Sequence, residues 1–277
     1  MASPTPRLTG LHRYPVKSCR GEDLAAALVE PWGLGGDRRW MVVDPTGEVV
    51  TAREANRLVL VRPEITARGL RLSAPGIADL TVDRPSSASL VEVEIWDDRL
   101  RAGLADEAAH AWFTEVIGRP LRLVHLDDPR RRPVDPAYAE PGEVVSLADG
   151  FPLLLASTES LSQLNSWIAE GPRADEGPLP MTRFRPNLVI TGAEPFAEDS
   201  WTRIRVGEVI FRAVKPCARC VLTTIDADTA VRTKEPLVTL ARHRKIGGKI
   251  LFAINLIPVP PYGRVRIGDD IEVLETC

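Results

Sequence analysis

Two cysteines separated by two residues, Cys217 and Cys220, are the sharpest chemical signal in the sequence. Such a pair can be half of a zinc site, a thiol–disulfide couple, or the source of one thiolate ligand to a soft metal. The flanking cations Lys215 and Arg219 favour a thiolate, because positive charge lowers the pKa of a thiol. Two small half-buried residues beside a strand would show the same spacing, so spacing alone leaves these interpretations open.

Two of these chemical interpretations lack supporting residues. A zinc site needs further ligands, and the remaining cysteines and histidines show no pairing at ligand spacing. These residues are Cys19, Cys277, His12, His110, His125 and His243. A thioredoxin-like pair opens a helix, whereas residues 221–225 are β-rich and predict a strand. A Ser-His-Asp hydrolase is disfavoured because no G-x-S-x-G motif occurs.

Three basic residues stand next to polar donors where strand-like sequence meets a turn. Lys17 precedes Ser18, Arg38 follows a glycine-rich turn, and Arg185 lies two residues before Asn187. Cations beside hydroxyl or amide donors can hold a phosphate, although each could equally be a solvated turn residue. The glycine-rich turn itself is no phosphate loop, because G-x-x-x-x-G-K-[ST] is absent.

Composition excludes several classes of protein. The 277 residues are 44% hydrophobic and 26% charged, which is typical of globular domains and not of disordered or coiled-coil chains. A net charge of −3 provides no global attraction to nucleic acid or anionic lipid. No apolar run approaches the roughly 20 residues of a membrane span, and residues 1–7 lack the apolar core of a signal peptide. We therefore expect a cytoplasmic protein without nucleic-acid or membrane partners.

The elements predicted around these residues are mostly short strands. Alternation or short β-rich runs predict strands at 92–96, 121–126, 188–190, 221–225 and 250–254, and strand–turn–strand units at 204–211 and 265–273. Three helices are predicted: one capped by Asp106 and ended by Gly118, one over 161–168, and one opened by Pro236. The fold class is mainly β with a few helices.

A proline- and arginine-rich stretch divides the chain. Residues 128–142 hold four prolines and almost no aliphatic residue, which is typical of a linker. We therefore predict an N-terminal β domain over 1–127 and a C-terminal β domain over 143–277. The run Arg130-Arg131-Arg132 is predicted to be solvated.

Several motifs together resemble one family. They are Tyr14-Pro15-Val16-Lys17-Ser18-Cys19, Asp37-Arg38-Arg39-Trp40, Gly47–Arg53, Phe184–Ile190, Ala197–Trp201, Cys217–Asp226, Lys234–Leu237 and Ile267-Gly268-Asp269. Their order resembles MOSC-domain proteins, named for the C-terminal domain of molybdenum cofactor sulfurase, and in particular the mitochondrial amidoxime-reducing component and its bacterial relatives. The resemblance covers residues from about 8 to 275.

The resemblance implies an N-terminal MOSC-type β-barrel domain, a MOSC β-barrel domain, and a molybdenum–molybdopterin cofactor held between them. By motif position, Cys220 would ligate molybdenum. The residues implied to bind the cofactor are Lys17, Ser18, Arg38, Gly150, Phe151, Arg185, Asn187, Ala218, Arg219 and Cys220. Asp226 follows this segment and is a candidate proton shuttle, although a turn carboxylate explains it equally well.

The implied activity is reduction of amidoximes, hydroxylamines and N-hydroxylated bases. No iron–sulfur spacing occurs before Cys277, so electrons are expected from a separate protein of ferredoxin or cytochrome type with its reductase. The sequence differs from the mitochondrial relatives at Ala193, where they carry cysteine, and at Ala218, where serine is usual. Two other functions stay open: a carrier of cofactor or sulfur in cofactor maturation, and a thiol–disulfide protein that uses both cysteines.

Overall fold

Short β-strands form most of the regular structure, as the alternating sequence predicts. The computed structural model describes residues 5–86 and 88–277. Residues 1–4, which belong to the segment predicted not to be a signal peptide, lie outside the described residues. The strands are β1 Arg7–Arg13, β2 Glu22–Asp23, β3 Ala26–Glu30, β4 Gly33–Leu34, β5 Trp40–Val43, β6 Arg62–Ile65, β7 Gly69–Ala74, β8 Ile77–Asp83, β9 Leu90–Ile95, β10 Asp98–Leu104, β11 Arg122–His125, β12 Leu153–Ser157, β13 Leu188–Thr191, β14 Trp201–Val206, β15 Val209–Ala218, β16 Lys245–Ile246, β17 Lys249–Val259, β18 Arg264–Arg266 and β19 Ile271–Thr276. The fold class predicted from the sequence is confirmed.

Three α-helices form where the sequence predicts them, although α2 begins three residues before its predicted start. They are α1 Glu107–Ile117, α2 Thr158–Ala169 and α3 Leu237–His243. Asp106 accepts a hydrogen bond from the backbone N–H of Ala109, and Gly118 ends α1 at a φ of 87°. Single 3-10 turns lie at Asn56–Leu60, Pro129–Arg131, Ala174–Glu176, Met181–Phe184, Ala197–Ser200 and Val221–Thr224.

One large curled sheet forms the C-terminal half of the molecule. Its strand order is β19-β14-β15-β17-β12-β13-β1-β2, with β16 beside β17. Strands β12 and β13 are parallel because α2 connects them, whereas the other pairs are antiparallel. The apolar side chains facing inward from this sheet form one core that includes Phe211 and Leu256.

Smaller sheets form the N-terminal half, which has its own core. The order β5-β11-β10-β9 makes one sheet, β6-β7-β8 a second, and α1 packs Trp112 and Phe113 against the core beneath them. Strand β1, however, pairs with β13, and β3 pairs with β18, so residues 7–30 join the C-terminal sheets. The pairing therefore crosses the division predicted near residue 127, and the boundaries 1–127 and 143–277 stay predictions.

Three predictions about local structure are wrong. Residues 221–224 form a 3-10 turn and not a strand, because their carbonyls accept hydrogen bonds three residues on. The two strands of the unit at 265–273 do not pair with each other: β18 pairs with β3 and β19 with β14. Arg132 is buried and not solvated, since its guanidinium pairs with Asp98.

Candidate functional site

A cleft between segments from both halves of the chain gathers ten of the eleven residues singled out for chemistry. Its cavity volume is about 130 Å³. The predicted residues that line it are Lys17, Ser18, Arg38, Gly150, Phe151, Arg185, Asn187, Ala218, Arg219 and Cys220. Turns between the strands carry most of these residues, so their arrangement depends on the sheets that the turns connect.

Lys17 is buried at one end of the cleft, beside a carboxylate. Its Nζ donates a hydrogen bond to the backbone oxygen of Leu147 (3.0 Å) and forms an ion pair with Asp149. Desolvation lowers the pKa of Lys17 from its ordinary value of 10.5 to about 8, although Asp149 opposes the shift. Desolvation would raise the pKa of Asp149, but Lys17 and Arg53 hold it well below its usual range. An arriving anion can compete with Asp149 for this lysine.

Arg38 and Arg185 clamp the ring of Tyr14 between them. Their guanidinium carbons lie 4.2 Å and 4.3 Å from the centroid of the tyrosine ring. Arg38 also pairs with Asp37 at 2.7 Å, which fixes the direction of its guanidinium. Burial lowers the pKa of Arg185 and raises that of Tyr14 to about 12, so the tyrosine stays neutral between two cations. The clamp presents a doubly cationic wall to the cleft.

The side chain of Asn187 positions its neighbours in this wall. Its Oδ1 accepts hydrogen bonds from Arg38 Nη1 (3.1 Å) and from the backbone N–H of Leu154 (3.2 Å). Its Nδ2 donates to the backbone oxygen of His12 (3.1 Å). Because the amide is occupied in this way, Asn187 fixes β1, β12 and Arg38 relative to one another. We expect it to act on a ligand through Arg38.

Three residues of the cleft adopt a strained backbone. Ser18, Arg38 and Arg185 have φ values of 67°, 44° and 55°, in the left-handed region that non-glycine residues avoid. Such residues cost on the order of 1–3 kcal/mol each and cluster at functional sites. Their common location in one cleft indicates that packing holds them there to direct their side chains.

Cys217 and Cys220 lie on the opposite wall in different surroundings. Cys217 is the penultimate residue of β15, and its sulfur accepts a hydrogen bond from Arg219 Nη1 at 3.0 Å. The other terminal nitrogen of Arg219 donates to the backbone oxygen of Phe184 at 2.7 Å. Among the described residues, no hydrogen bond involves the sulfur of Cys220. Arg219 therefore contacts the sulfur of Cys217, and its support of a thiolate at Cys220 stays a prediction.

Lys215, the other cation predicted to act on the thiols, points elsewhere. Its Nζ lies 3.9 Å from the ring centroid of Tyr138 and 4.9 Å from that of Phe151. This contact covers one side of the Phe151 ring that lines the cleft. Lys215 therefore supports the wall of the cleft.

Asp226, the candidate proton shuttle, does not line the cleft. Its Oδ1 accepts hydrogen bonds from the backbone N–H groups of Asp228 and Thr229, which closes a tight turn. Its Oδ2 pairs with Arg183 at 3.0 Å. These contacts hold the pKa of Asp226 below its ordinary value, although desolvation opposes them. Asp226 has a structural role in the turn, so we assign it no proton transfer.

Sequence reasoning missed three residues that build the site. Arg53 bonds Asp149 at 2.9 Å and lies over the ring of Trp96. Asn255 lines the cleft and donates to the backbone oxygen of Lys215 at 3.2 Å. The third, Arg132, donates to the carbonyl oxygens of Ser146, Ala148 and Asp149 and so holds the loop at one edge of the cleft. Only the motif around Arg53 carried a sequence signal.

The fold and the cleft define a class: a protein of two β-rich parts with a cationic, cysteine-bearing cleft between them. The chain belongs to the MOSC family. Residues 5–120 match the MOSC N-terminal beta barrel domain, and residues 142–272 match the MOSC domain. The family resemblance drawn from the motifs is confirmed.

Two curated relatives cover most of this chain. Human mitochondrial amidoxime-reducing component 1 is 34% identical over 94% of this chain and 81% of its own length. Molybdenum cofactor sulfurase of rice is 33% identical over 88% of this chain, which spans only 31% of that relative. The crystal structure of YuaD from Bacillus subtilis aligns with 97% of this chain and 94% of its own at 12% identity and a TM-score of 0.44.

No helix in residues 5–86 and 88–277 has the length and apolar character needed to cross a bilayer. Over the same residues, no three His, Cys, Asp or Glu side chains lie close enough together to hold a metal ion by themselves.

Proposed function

We propose that this protein is a molybdenum-cofactor-dependent oxidoreductase that reduces N-hydroxylated compounds such as amidoximes, hydroxylamines and N-hydroxylated bases. The proposal rests on one observation. The Cys220 thiol and a wall of buried cations line the same cleft. The similarity of the chain to the amidoxime-reducing component supports the choice of reaction.

The residues of the cleft fit a molybdopterin-type cofactor. Arg185 Nη2 and Arg219 Nε are buried and have no hydrogen-bond partner in the described structure, so their N–H groups are available to an anion. The hydroxyl of Ser18 likewise makes no hydrogen bond to the described residues. A phosphate and the polar edge of a pterin would satisfy these donors, and a metal carried on a dithiolene would need only one further soft ligand.

Within this proposal the chain supplies placement and charge. Cys220 would hold the metal. The phosphate would be held by Lys17, Arg38 and Arg185, and the hydroxyl of Ser18 would donate a hydrogen bond to the phosphate. Backbone at Gly150 and Ala218 and the ring of Phe151 would line the cofactor. The bound group supplies the two-electron chemistry that cleaves the N–O bond.

The overall reaction consumes two electrons and two protons. The N–O bond breaks, one proton adds to the nitrogen, and the other adds to the hydroxyl oxygen, which leaves as water. We propose that a separate electron-transfer protein supplies the electrons and solvent supplies the protons. All four cysteines are free, which supports a reducing compartment such as the cytoplasm.

The first test measures molybdenum in protein made by a host that synthesises the cofactor. We expect near-stoichiometric metal in the wild type, loss of metal in Cys220→Ala, and retention in Cys217→Ala. Of these two thiols, only that of Cys220 makes no hydrogen bond to the described residues, whereas the Cys217 sulfur is bonded to Arg219. Cys217→Ala is the matched control, since it removes the neighbouring thiol from the same cleft. Retention in Cys220→Ala would refute the ligand assignment. The absence of molybdenum from the wild type would refute the reductase itself.

A second candidate is a carrier of cofactor or of sulfur for cofactor maturation. The similarity to molybdenum cofactor sulfurase favours it, although that relative is about three times as long as the matched segment. The two functions separate in one assay. A reductase converts benzamidoxime to benzamidine with a chemical reductant over many turnovers, whereas a carrier releases its cofactor to an acceptor apoenzyme and shows no turnover.

A further inference from the structure

A basic hairpin lies beside the cysteine wall of the cleft. We define it as residues 242–249, from the end of α3 through β16 to the start of β17. Gly247 and Gly248 connect the two strands at φ values of 56° and 79°, as a two-residue turn of this kind requires. No atom lies within 4 Å of a Cβ placed at either glycine, so the turn projects into open space.

The hairpin carries uncompensated positive charge. Arg242, Lys245 and Lys249 are exposed, and among the described residues none of them forms an ion pair. Arg244 is different, because its charge is neutralised by Asp199. No Asp or Glu occurs between Glu235 and Asp269, although the chain as a whole is acidic with a net charge of −3. The positive field at the hairpin is therefore a local feature.

An exposed aliphatic side chain lies among these cations. Ile246 is 57% exposed on β16, between the charged residues of the hairpin. Protein interfaces combine a small apolar centre with a polar rim, and short-lived redox encounters use small contact areas. A membrane surface usually needs four to eight clustered cations, and this hairpin has three free ones. The arrangement therefore fits an acidic protein surface.

The hairpin is joined to the cysteine segment by backbone hydrogen bonds. Arg219 N–H donates to the oxygen of Ile250 at 2.8 Å, and Leu251 N–H donates to the oxygen of Arg244 at 3.0 Å. Ala218 pairs with Leu251, and Lys245 pairs with Ile250. Two strand spacings separate the hairpin from the segment after Cys217, which is about 10 Å. A protein bound at the hairpin would therefore lie close to the cysteine segment that lines the cleft.

We propose that the basic hairpin is the docking surface for the electron donor, and that the donor is a small one-electron carrier with an acidic face. This inference rests on the proposed reductase function. Each encounter passes one electron from the reduced carrier, which leaves oxidised. Two encounters supply the pair of electrons that N–O cleavage consumes together with two protons. Attraction between opposite charges raises the rate of productive encounter.

The test compares two variants with the same change in charge. Lys245→Glu/Lys249→Glu reverses two hairpin cations, and Arg264→Glu/Arg266→Glu reverses two exposed cations on β18, in a different sheet. The probe is a plant-type [2Fe–2S] ferredoxin, an acidic carrier. Its binding is measured by calorimetry on protein with and without cofactor, at low and high salt. Benzamidoxime reduction is then measured with reduced ferredoxin and with reduced methyl viologen, which needs no docking surface.

We expect the hairpin variant to weaken ferredoxin binding and to raise its KM by roughly tenfold or more at low salt, whereas the β18 variant changes both by less than about twofold. The rate of benzamidoxime reduction with methyl viologen should be the same in the two variants. Equal effects of the two variants, or no binding of ferredoxin to the wild type, would overturn the proposal. So would hairpin-dependent binding to phosphatidylserine vesicles in place of ferredoxin.

The same experiment separates this inference from the proposed function. Salt-sensitive, hairpin-dependent binding of ferredoxin without amidoxime reduction by either donor would refute the reductase and leave the docking surface standing. Amidoxime reduction with methyl viologen, together with electron transfer from ferredoxin that is unchanged in the hairpin variant, would refute the docking surface and leave the reductase standing. Thermal unfolding of both variants checks that the exposed substitutions leave the fold intact.

Discussion

Replacing Ser18 with glycine should stabilise the protein and weaken its hold on the cofactor at the same time. Ser18 is buried at the cleft with a φ of 67°, and its hydroxyl makes no hydrogen bond to the described residues. The left-handed conformation costs an L-residue about 1–2 kcal/mol, and glycine adopts it freely. The residue is therefore placed for a ligand at the expense of stability.

The size of the change in stability follows from two opposing contributions to the free energy of unfolding. Glycine removes the backbone strain but adds roughly 0.5–1 kcal/mol of conformational entropy to the unfolded chain. The net gain for Ser18→Gly is about 0.5–1 kcal/mol, or a rise in Tm of about 1–4 °C for a chain of this size. Ser18→Ala is the matched control, because it also removes the hydroxyl but keeps the strained backbone, and its Tm should equal that of the wild type.

Calorimetry of cofactor-free protein and elemental analysis of loaded protein measure the two effects. Both variants should bind the cofactor roughly tenfold more weakly, since each loses one hydrogen bond to a charged group. A glycine variant with a lower Tm than the alanine variant would refute the strain argument. Full retention of molybdenum in both would show that the Ser18 hydroxyl does not contact the cofactor.

Three further outcomes are expected. Burial raises the pKa of Glu198 from its ordinary 4.5 to about 7. Between these two pH values the carboxyl group is ionised in the unfolded chain but still protonated in the folded protein. The free energy of unfolding should therefore fall by about 3 kcal/mol as the pH rises from about 4.5 to about 7. Urea titrations of Glu198→Gln should lack this decline, and a decline that persists would contradict the assignment. Arg132→Leu should lower the free energy of unfolding by about 3–5 kcal/mol, because three carbonyl oxygens lose the side chain that donates to them, whereas the exposed Arg130→Leu should change it little. Asp226→Asn should leave amidoxime reduction within about twofold, whereas a catalytic proton shuttle would cost a hundredfold or more.

Local sequence predicted the features that depend on neighbouring residues. The ends of α1 follow from Asp106 and Gly118, because a capping carboxylate and a left-handed glycine act within one turn of the chain. The motifs around Lys17, Arg38 and Cys220 also indicated which residue types would meet in a site. The strand predicted at 221–225 failed because β-rich composition does not distinguish a strand from a single 3-10 turn that contacts α3.

Tertiary structure decided how those residues are used. The sequence determined the family, the mainly β fold and most of the residues that line the cleft. It could not show that Asn187 holds Arg38, that Arg219 contacts Cys217, or that Arg132 holds the loop at Asp149. These contacts join side chains separated by long stretches of chain, or depend on backbone angles that only the assembled sheets enforce. Hydrogen bonds and ion pairs are short-ranged, so the partner of each donor is settled only when folding brings the strands together.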